Sequence, residues 1–272
     1  MKQGIDADQV DELLEIIFQV HGYDFSTYAR ASLKRRITHV LHKYGLDMFS
    51  LKQRLINEEA FFRRFLDEVT VNVTEMFRDP SFYQAVKEQV FPMIATYPYL
   101  RVWNAGCSSG EETYSFAISL KEAGLYEKSF LYGTDINAAV LDKAGEGIYE
   151  LARLRAYSEN YLLAGGKGSL SDYYHAAYDA GIMNESLKKN TLFSVHNLAM
   201  DKVFNEFQLV VCRNVLIYFN DELQEKVLTL LYESLCPLGF LCLGSRETIR
   251  HPEIQKKFRL VDRREHIYQR ID

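Results

Sequence analysis

The chain has 272 residues, 47% of them hydrophobic and 25% charged, with a formal net charge of −5. That length holds one large domain or a small one beside a medium one, with ample apolar content for packed cores. The acidic balance argues against a general nucleic-acid binder, no apolar run reaches membrane-spanning length, and the N-terminus MKQGIDADQVDELLE is too acidic for a signal or transit peptide.

Residues 1–70 carry helical periodicity throughout. Val10, Leu13, Leu14, Ile17 and Phe18 line one face, and Gly22 is placed to stop that helix. From Tyr28 to Tyr44, Leu33, Ile37, Val40, Leu41 and Tyr44 form an apolar stripe. The opposite side holds Arg30, Lys34, Arg35, Arg36 and Lys43, with no acid between Arg30 and Lys43. This basic ridge is either a solvated face or a docking surface for an acidic partner. Leu46 to Val69 supplies one or two further helices. Residues 71–98 then read as a linker and the helix that Pro80 starts; the string Asn72-x-Thr74-x-x-x-Arg78 within it is by itself compatible with simple capping and turn chemistry.

Leu100 to Ala105 is a buried strand, followed by Gly106-Cys107-Ser108-Ser109-Gly110 and a helix from Glu111. A strand, a glycine turn and a helix N-terminus make a small-molecule cradle. The loop has no Gly-Lys-Ser/Thr, and its glycines stand as Gly-x-x-x-Gly, unlike a dinucleotide fingerprint. Glu111 and Glu112 would repel a pyrophosphate and suit a cation such as S-adenosylmethionine; the alternative is a capping pair beside the helix dipole. A second apolar strand, Phe130 to Thr134, ends in Asp135, an acceptor for both ribose hydroxyls of an adenosine or else a helix N-cap, a role Asn137 could equally fill.

After a helix from Ala138 to Gly147, residues 148–190 break the strand–helix rhythm and read as an inserted subdomain, part helix and part antiparallel hairpin. Alternation resumes with a strand Leu192 to Val195 ending in His196-Asn197-Leu198. Phe207 to Cys212 is another, ending in Arg213-Asn214-Val215-Leu216-Ile217-Tyr218. In open α/β sheets ligands sit beyond the carboxyl ends of strands, so these tips are expected near the cradle. A helix Asp221 to Leu235, then Pro237-Leu238-Gly239 leading into a strand Phe240 to Leu243, and a closing hairpin complete the chain. The four cysteines lack metal-ligand spacing, and the only histidines close enough for a shared helical face, His39 and His42, have no nearby carboxylate or thiol, so no metal site is expected.

The motifs Ser32-Leu33-Lys34-Arg35-Arg36, Asn72 to Arg78, Ala105 to Ser115, Thr134 to Asn137, His196 to Leu198 and Cys212 to Phe219 come in an order that resembles the bacterial chemotaxis receptor methyltransferase family, CheR, over nearly the whole chain. Met76, where the family usually has Phe, and Thr113, where it often has Pro, are mild departures. The resemblance implies a class I S-adenosylmethionine-dependent methyltransferase with a Rossmann-like, seven-stranded sheet (residues 99–272), an N-terminal all-helical receptor-docking domain (1–70) and an inserted antiparallel β-subdomain. It implies methylation of glutamate side chains on the cytoplasmic helical bundle of chemoreceptors, yielding S-adenosylhomocysteine, by a cytoplasmic monomer that neither inserts in the membrane nor binds nucleic acid. Carried over by motif, the cofactor contacts are Asn72, Thr74, Arg78, Glu112, Asp135, Asn197, Leu198, Arg213 and Asn214. Arg78 and Tyr218 would border the transferred methyl group, and Arg30, Lys34, Arg35 and Arg36 would face the receptor. Competing readings are a non-catalytic S-adenosylmethionine sensor, a nucleotide-dependent oxidoreductase, disfavoured by the glycine spacing, and a nucleic-acid methyltransferase, disfavoured by the net acidity.

Overall fold

The first helix, α1 (Ala7–His21), starts where Asp6 and Gln9 form a capping box and stops at Gly22, whose φ of 75° a side chain would resist. In the computed structural model, which describes residues 5–70 and 73–272, it is followed by α2 (Arg30–Tyr44), α3 (Met48–Asn57) and α4 (Glu59–Val69). Leu13, Ile17, Ile37, Val40, Leu51, Leu55, Phe61 and Phe65 are the centre of their shared core. The α2 helix begins two residues later than its periodicity suggests, because Tyr28 is held extended in an antiparallel bridge to Phe219 and the Ala29 N–H donates to the Tyr218 carbonyl at 2.8 Å. Residues up to 72 and Tyr218–Lys226 thus form one compact unit; Val73–Ile217 and Val227–Asp272 form the other.

The second unit opens with α5 (Pro80–Ala85), a π-helical turn (Val86–Val90) and α6 (Phe91–Ile94). Pro92 has no N–H to give the ladder and its ring crowds the preceding turn, which the wider π spacing relieves. The sheet then builds from β1 (Leu100–Ala105), with α7 (Glu111–Glu122), β2 (Ser129–Asp135) and α8 (Ala138–Glu146). The insertion comprises β3 (Ile148–Glu150), α9 (Leu151–Leu163), β4 (Tyr174–Ala177), β5 (Ala180–Met183) and α10 (Glu185–Lys188). The chain returns through β6 (Thr191–Val195), β7 (Phe207–Cys212), α11 (Asp221–Glu233), β8 (Leu235–Leu243), α12 (Pro252–Gln255), β9 (Phe258–Asp262) and β10 (Ile267–Arg270).

The main sheet has the order β6-β2-β1-β7-β8-β10-β9 and the insertion a three-stranded sheet β3-β5-β4. The first four pairings are parallel and the last two antiparallel; Val102 of β1 lies opposite Leu131 on one side and Leu209 on the other. This is the Rossmann-like architecture expected, with its helical N-terminal domain and its antiparallel insertion. One expectation needs correcting: β8 begins at Leu235, not Phe240. Pro237-Leu238-Gly239, expected to lead into the strand, lies within it, where the register against β7 shifts between Phe207 and Leu209 and Leu238 takes a φ of 63°. Among the described residues no helix is long and apolar enough to cross a membrane.

Candidate active site

The carboxyl ends of β1, β2 and β7 converge as the switch-point rule predicts, since β1 is the strand flanked by both others. From β1 the chain turns through Gly106 (φ 76°), Ser108 (φ 51°) and Gly110 (φ 90°) before entering α7. The two glycines are needed for space as well as for backbone angle. A Cβ on Gly106 would lie 2.4 Å from Val215 Cγ2, and one on Gly110 would lie 2.8 Å from the Ala144 Cβ. The loop therefore packs directly on the turn after β7 and on α8.

The loop amides do less for a ligand than a bare glycine turn suggests. Gly106 and Cys107 donate to the Thr134 carbonyl at 2.8 and 2.9 Å, Ser108 to Asp135 Oδ2 at 2.9 Å, and Gly110 to the Cys107 carbonyl at 3.0 Å. These bonds bind the loop to the end of β2. Nearby, the Ser108 hydroxyl and Asn104 Oδ1 are buried with no protein partner among the described residues. Orphaned polar atoms of this kind call for a polar ligand.

Asp135 ends β2, and it is not the cap of the helix that follows. Asn137 is the N-cap of α8, its Oδ1 accepting from the Ala139 N–H at 3.0 Å; Asp135 accepts instead from the N–H groups of Ser108 and Asn137. Two backbone bonds leave its carboxylate with further lone pairs for a diol. Water touches one side of Asp135 but protein surrounds most of it, and burial pushes its pKa up against the pull of those N–H groups. The fit to the ribose of S-adenosylmethionine is good.

The two glutamates divide their work. Glu111 is buried, accepts from Ser109 Oγ at 2.7 Å, and burial raises its pKa, so it closes the loop on itself. Glu112 accepts from Arg213 Nη1 at 2.8 Å and, weakly, from Asn104 Nδ2 at 3.5 Å. Neither caps α7, whose N-terminal residue Gly110 has no side-chain cap. Arg213 is 2% exposed in its side chain, reaches Asp79 with Nη2 at 2.7 Å and the Arg78 carbonyl with Nη1 at 3.3 Å, and lies 4.0 Å from the centre of the Phe82 ring. Burial alone would lower its pKa; Glu112, Tyr83 and Asp79 overcome that and hold it raised.

Arg78 is in a different state. It follows Phe77 (φ 55°) and precedes Asp79 (φ 57°), a bend fixed by the Phe77 N–H donating to Ser115 Oγ at 2.9 Å. The residue is half-buried, and its guanidinium makes no ion pair or hydrogen bond to protein among the described residues. Thr74, on the same segment, accepts at its carbonyl from Tyr157 of α9 at 3.4 Å, and Asn160 of α9 donates to the Met76 carbonyl at 3.3 Å. Asn72 lies outside the described residues.

The remaining expected contacts come from β6 and β7. Asn197 spends its Oδ1 on the Ala199 N–H (3.0 Å) in a turn that buries Leu198, and the His196 N–H ties this turn to Asp135 through its carbonyl at 3.0 Å. Asn214 follows Arg213 with a φ of 61°. Tyr218 falls in the helical unit, as do Arg30, Lys34, Arg35 and Arg36. There the ridge is less bare than its sequence: Arg30 pairs with Asp11 of α1 at 2.5 Å, His39 and Lys43 with Glu68 of α4, and Arg36 donates to the Glu68 and Thr70 carbonyls at 3.1 and 3.3 Å. Lys34 and Arg35 are exposed and have no carboxylate partner among the described residues.

Sequence reasoning missed Asp79, Asn104, Tyr149, whose hydroxyl donates to the Ser109 carbonyl at 2.7 Å, and the buried Glu247. Glu247 had a signal, since it stands just beyond the carboxyl end of a sheet strand like the residues that were found. No group of three or more potential metal ligands occurs among the described residues.

A family model described as the CheR methyltransferase, SAM binding domain matches residues 72–267, and one described as the CheR methyltransferase, all-alpha domain matches residues 8–70. A Pseudomonas putida protein named "Putative methyltransferase Cher3" is 48% identical over 247 residues, covering 90% of this chain and 90% of its own. Proteins named "Chemotaxis protein methyltransferase" from Listeria monocytogenes and Salmonella typhimurium are each 30% identical, covering 85% and 86% of this chain and 86% and 82% of theirs.

Proposed function

Because the chain belongs to the CheR methyltransferase family, we propose that it methylates glutamate side chains on the cytoplasmic helical region of chemoreceptors, working in the cytoplasm as a monomer. It is an S-adenosylmethionine-dependent enzyme, and S-adenosylhomocysteine is the product. When bound, S-adenosylmethionine supplies a methyl group on a positively charged sulfur. A glutamate carboxylate is ionised at neutral pH, so the acceptor needs no general base from the protein.

The protein's task is then to bind, align and exclude water. Asp135 accepts the ribose hydroxyls, and the Ser108 and Asn104 side chains offer the buried polar atoms that lack partners. Glu112 supplies negative charge for the cofactor's cationic end, held in place by Arg213. Thr74, Asn197, Leu198 and Asn214 complete the proposed cofactor contacts, with Asn72 added by motif alone. Arg78 meets the incoming carboxylate and offsets its desolvation with a charge-assisted hydrogen bond worth about 1.5–3 kcal/mol. Tyr218 enters by resemblance to the family, and Tyr218→Phe tests whether its hydroxyl is used.

The observation that carries this assignment is the contrast between two arginines. Arg213 has its carboxylates already, whereas Arg78 has none among the described residues. The deciding experiment transfers labelled methyl from S-adenosylmethionine to a purified receptor cytoplasmic fragment and then applies mild alkali. Label released as methanol identifies a carboxyl ester; alkali-stable label would point to a different acceptor and sink the proposal.

A further inference from the structure

We propose that Glu247 is a positioning residue for methyl transfer, whose buried carboxylate ties the turn after β7 to the end of β8 and so sets where Arg213 and Asn214 stand. Glu247 is 3% exposed. Its Oε2 accepts from the Gly244 N–H at 2.7 Å and the Asn214 N–H at 2.8 Å, while Oε1 accepts from the Ile217 N–H at 3.3 Å. No lysine or arginine pairs with it among the described residues. Both oxygens are therefore committed to backbone, and to one turn in particular.

That turn has a reason to need holding. Asn214 occupies the left-handed region at φ 61°, unusual for a residue other than glycine, and such strain persists only where the surroundings fix it. Gly244 makes room for the carboxylate: a Cβ there would lie 2.6 Å from Oε2 and 2.8 Å from the Asn214 nitrogen. The anchor is itself fixed from behind. The Glu247 N–H donates to the Gly244 carbonyl at 2.9 Å, its carbonyl meets His266 Nδ1, and the His266 carbonyl accepts from the Leu243 N–H at 3.1 Å.

On its other side the turn presents Val215 to the space that Gly106 leaves in the cofactor loop. Glu247 thus coordinates three strand ends, those of β8, β7 and β1, without needing to touch substrate. Burying an unpaired carboxylate costs stability, and three N–H bonds, two from the turn after β7 and one from Gly244 after β8, are what offset it. A residue selected for packing alone would fill this volume at lower cost.

The inference rests on the reading that Arg213 and Asn214 serve the cofactor. Its test uses the full chain and S-adenosylhomocysteine alone, so it requires no receptor. Calorimetric titration of Glu247→Gln, which keeps one acceptor oxygen, and Glu247→Ala, which keeps none, is combined with hydrogen exchange. The expected result is binding weakened about three- to tenfold in E247Q and more than tenfold in E247A, the cost of losing bonds to a charged acceptor. Exchange should quicken in residues 213–217 and 244–247 while β1 and β2 keep wild-type protection. Affinity within twofold of wild type in both variants overturns the proposal, as does a uniform loss of protection across the sheet. Wild-type protein that binds S-adenosylhomocysteine but gives no alkali-labile transfer would defeat the glutamate assignment and leave this comparison standing.

Discussion

Arg78 and Arg213 carry the same charge, and Arg213 Nη1 donates to the Arg78 carbonyl at 3.3 Å, yet they predict different failures when removed. Arg213→Ala leaves Glu112 partly buried without its cation, which costs about 3–5 kcal/mol and should lower both thermal stability and activity. Arg78→Ala removes no side-chain bond to protein among the described residues, so the melting temperature should stay near wild type while kcat/KM for receptor methylation falls on the order of a hundredfold. Steady-state kinetics beside a melting curve separates the two, and near-normal activity of Arg78→Ala would end its catalytic role. Asp135 adds a pH dependence whose sign is fixed by its raised pKa. In the proposed role, Asp135 accepts the ribose hydroxyls as the ionised carboxylate, so affinity should fall as pH drops through a value above the usual carboxylate pKa of about 3.9. The folded chain holds that proton more tightly than the unfolded one, so this group's contribution to stability declines as pH rises through the same window. Titrating S-adenosylhomocysteine across pH with Asp135→Asn, which should bind weakly and lack this acid limb, checks the assignment.

Among the elements, the loop after β1 leaves little room for change. Gly106→Ala adds a methyl 2.4 Å from Val215 at a positive φ, and should cost about 1–3 kcal/mol while weakening S-adenosylhomocysteine binding. Combining it with Val215→Ala should recover part of the stability, since that removes the clash and leaves the backbone strain; no recovery in thermal denaturation would rule the clash out. Much of this element was legible beforehand. The Gly-x-x-x-Gly spacing, the acid ending β2 and the cap at Asn137 are local features with local causes. What could not be read were partners brought in from afar: Arg213 meets Glu112 across 101 positions of chain, and Tyr149 reaches the loop from the insertion. The start of β8 was misplaced for the opposite reason. Proline and glycine punctuate most turns, but here a bulge absorbs them inside a strand.

At the scale of the whole molecule, charge is arranged more finely than a net value of −5 conveys. The ridge on α2 looked bare because its acids, Asp11 and Glu68, sit on neighbouring helices. Subtracting those pairs leaves Lys34 and Arg35 as the exposed cations best able to meet an acidic receptor surface. A Lys34→Glu/Arg35→Glu double variant should lose most receptor methylation at low salt and keep wild-type affinity for S-adenosylhomocysteine; unchanged methylation would remove α2 from the docking surface. Arg36 is a poorer test of docking, because its bonds to the Glu68 and Thr70 carbonyls make it part of the helical scaffold.

The return of Tyr218–Lys226 to the helical unit also bears on how the protein is made. The helices leave the ribosome first, but the ring that packs 5.0 Å from Tyr28 belongs to Phe219. At about 5–20 residues per second, that partner emerges on the order of ten seconds after α4 is finished. The helical unit is therefore begun early but cannot be completed until Tyr218–Lys226 has been made, and it waits with an aromatic face exposed to nascent-chain chaperones. A fragment ending at residue 70 should bind a hydrophobic dye and be cut near Asp24 to Arg30, whereas the full chain should resist both.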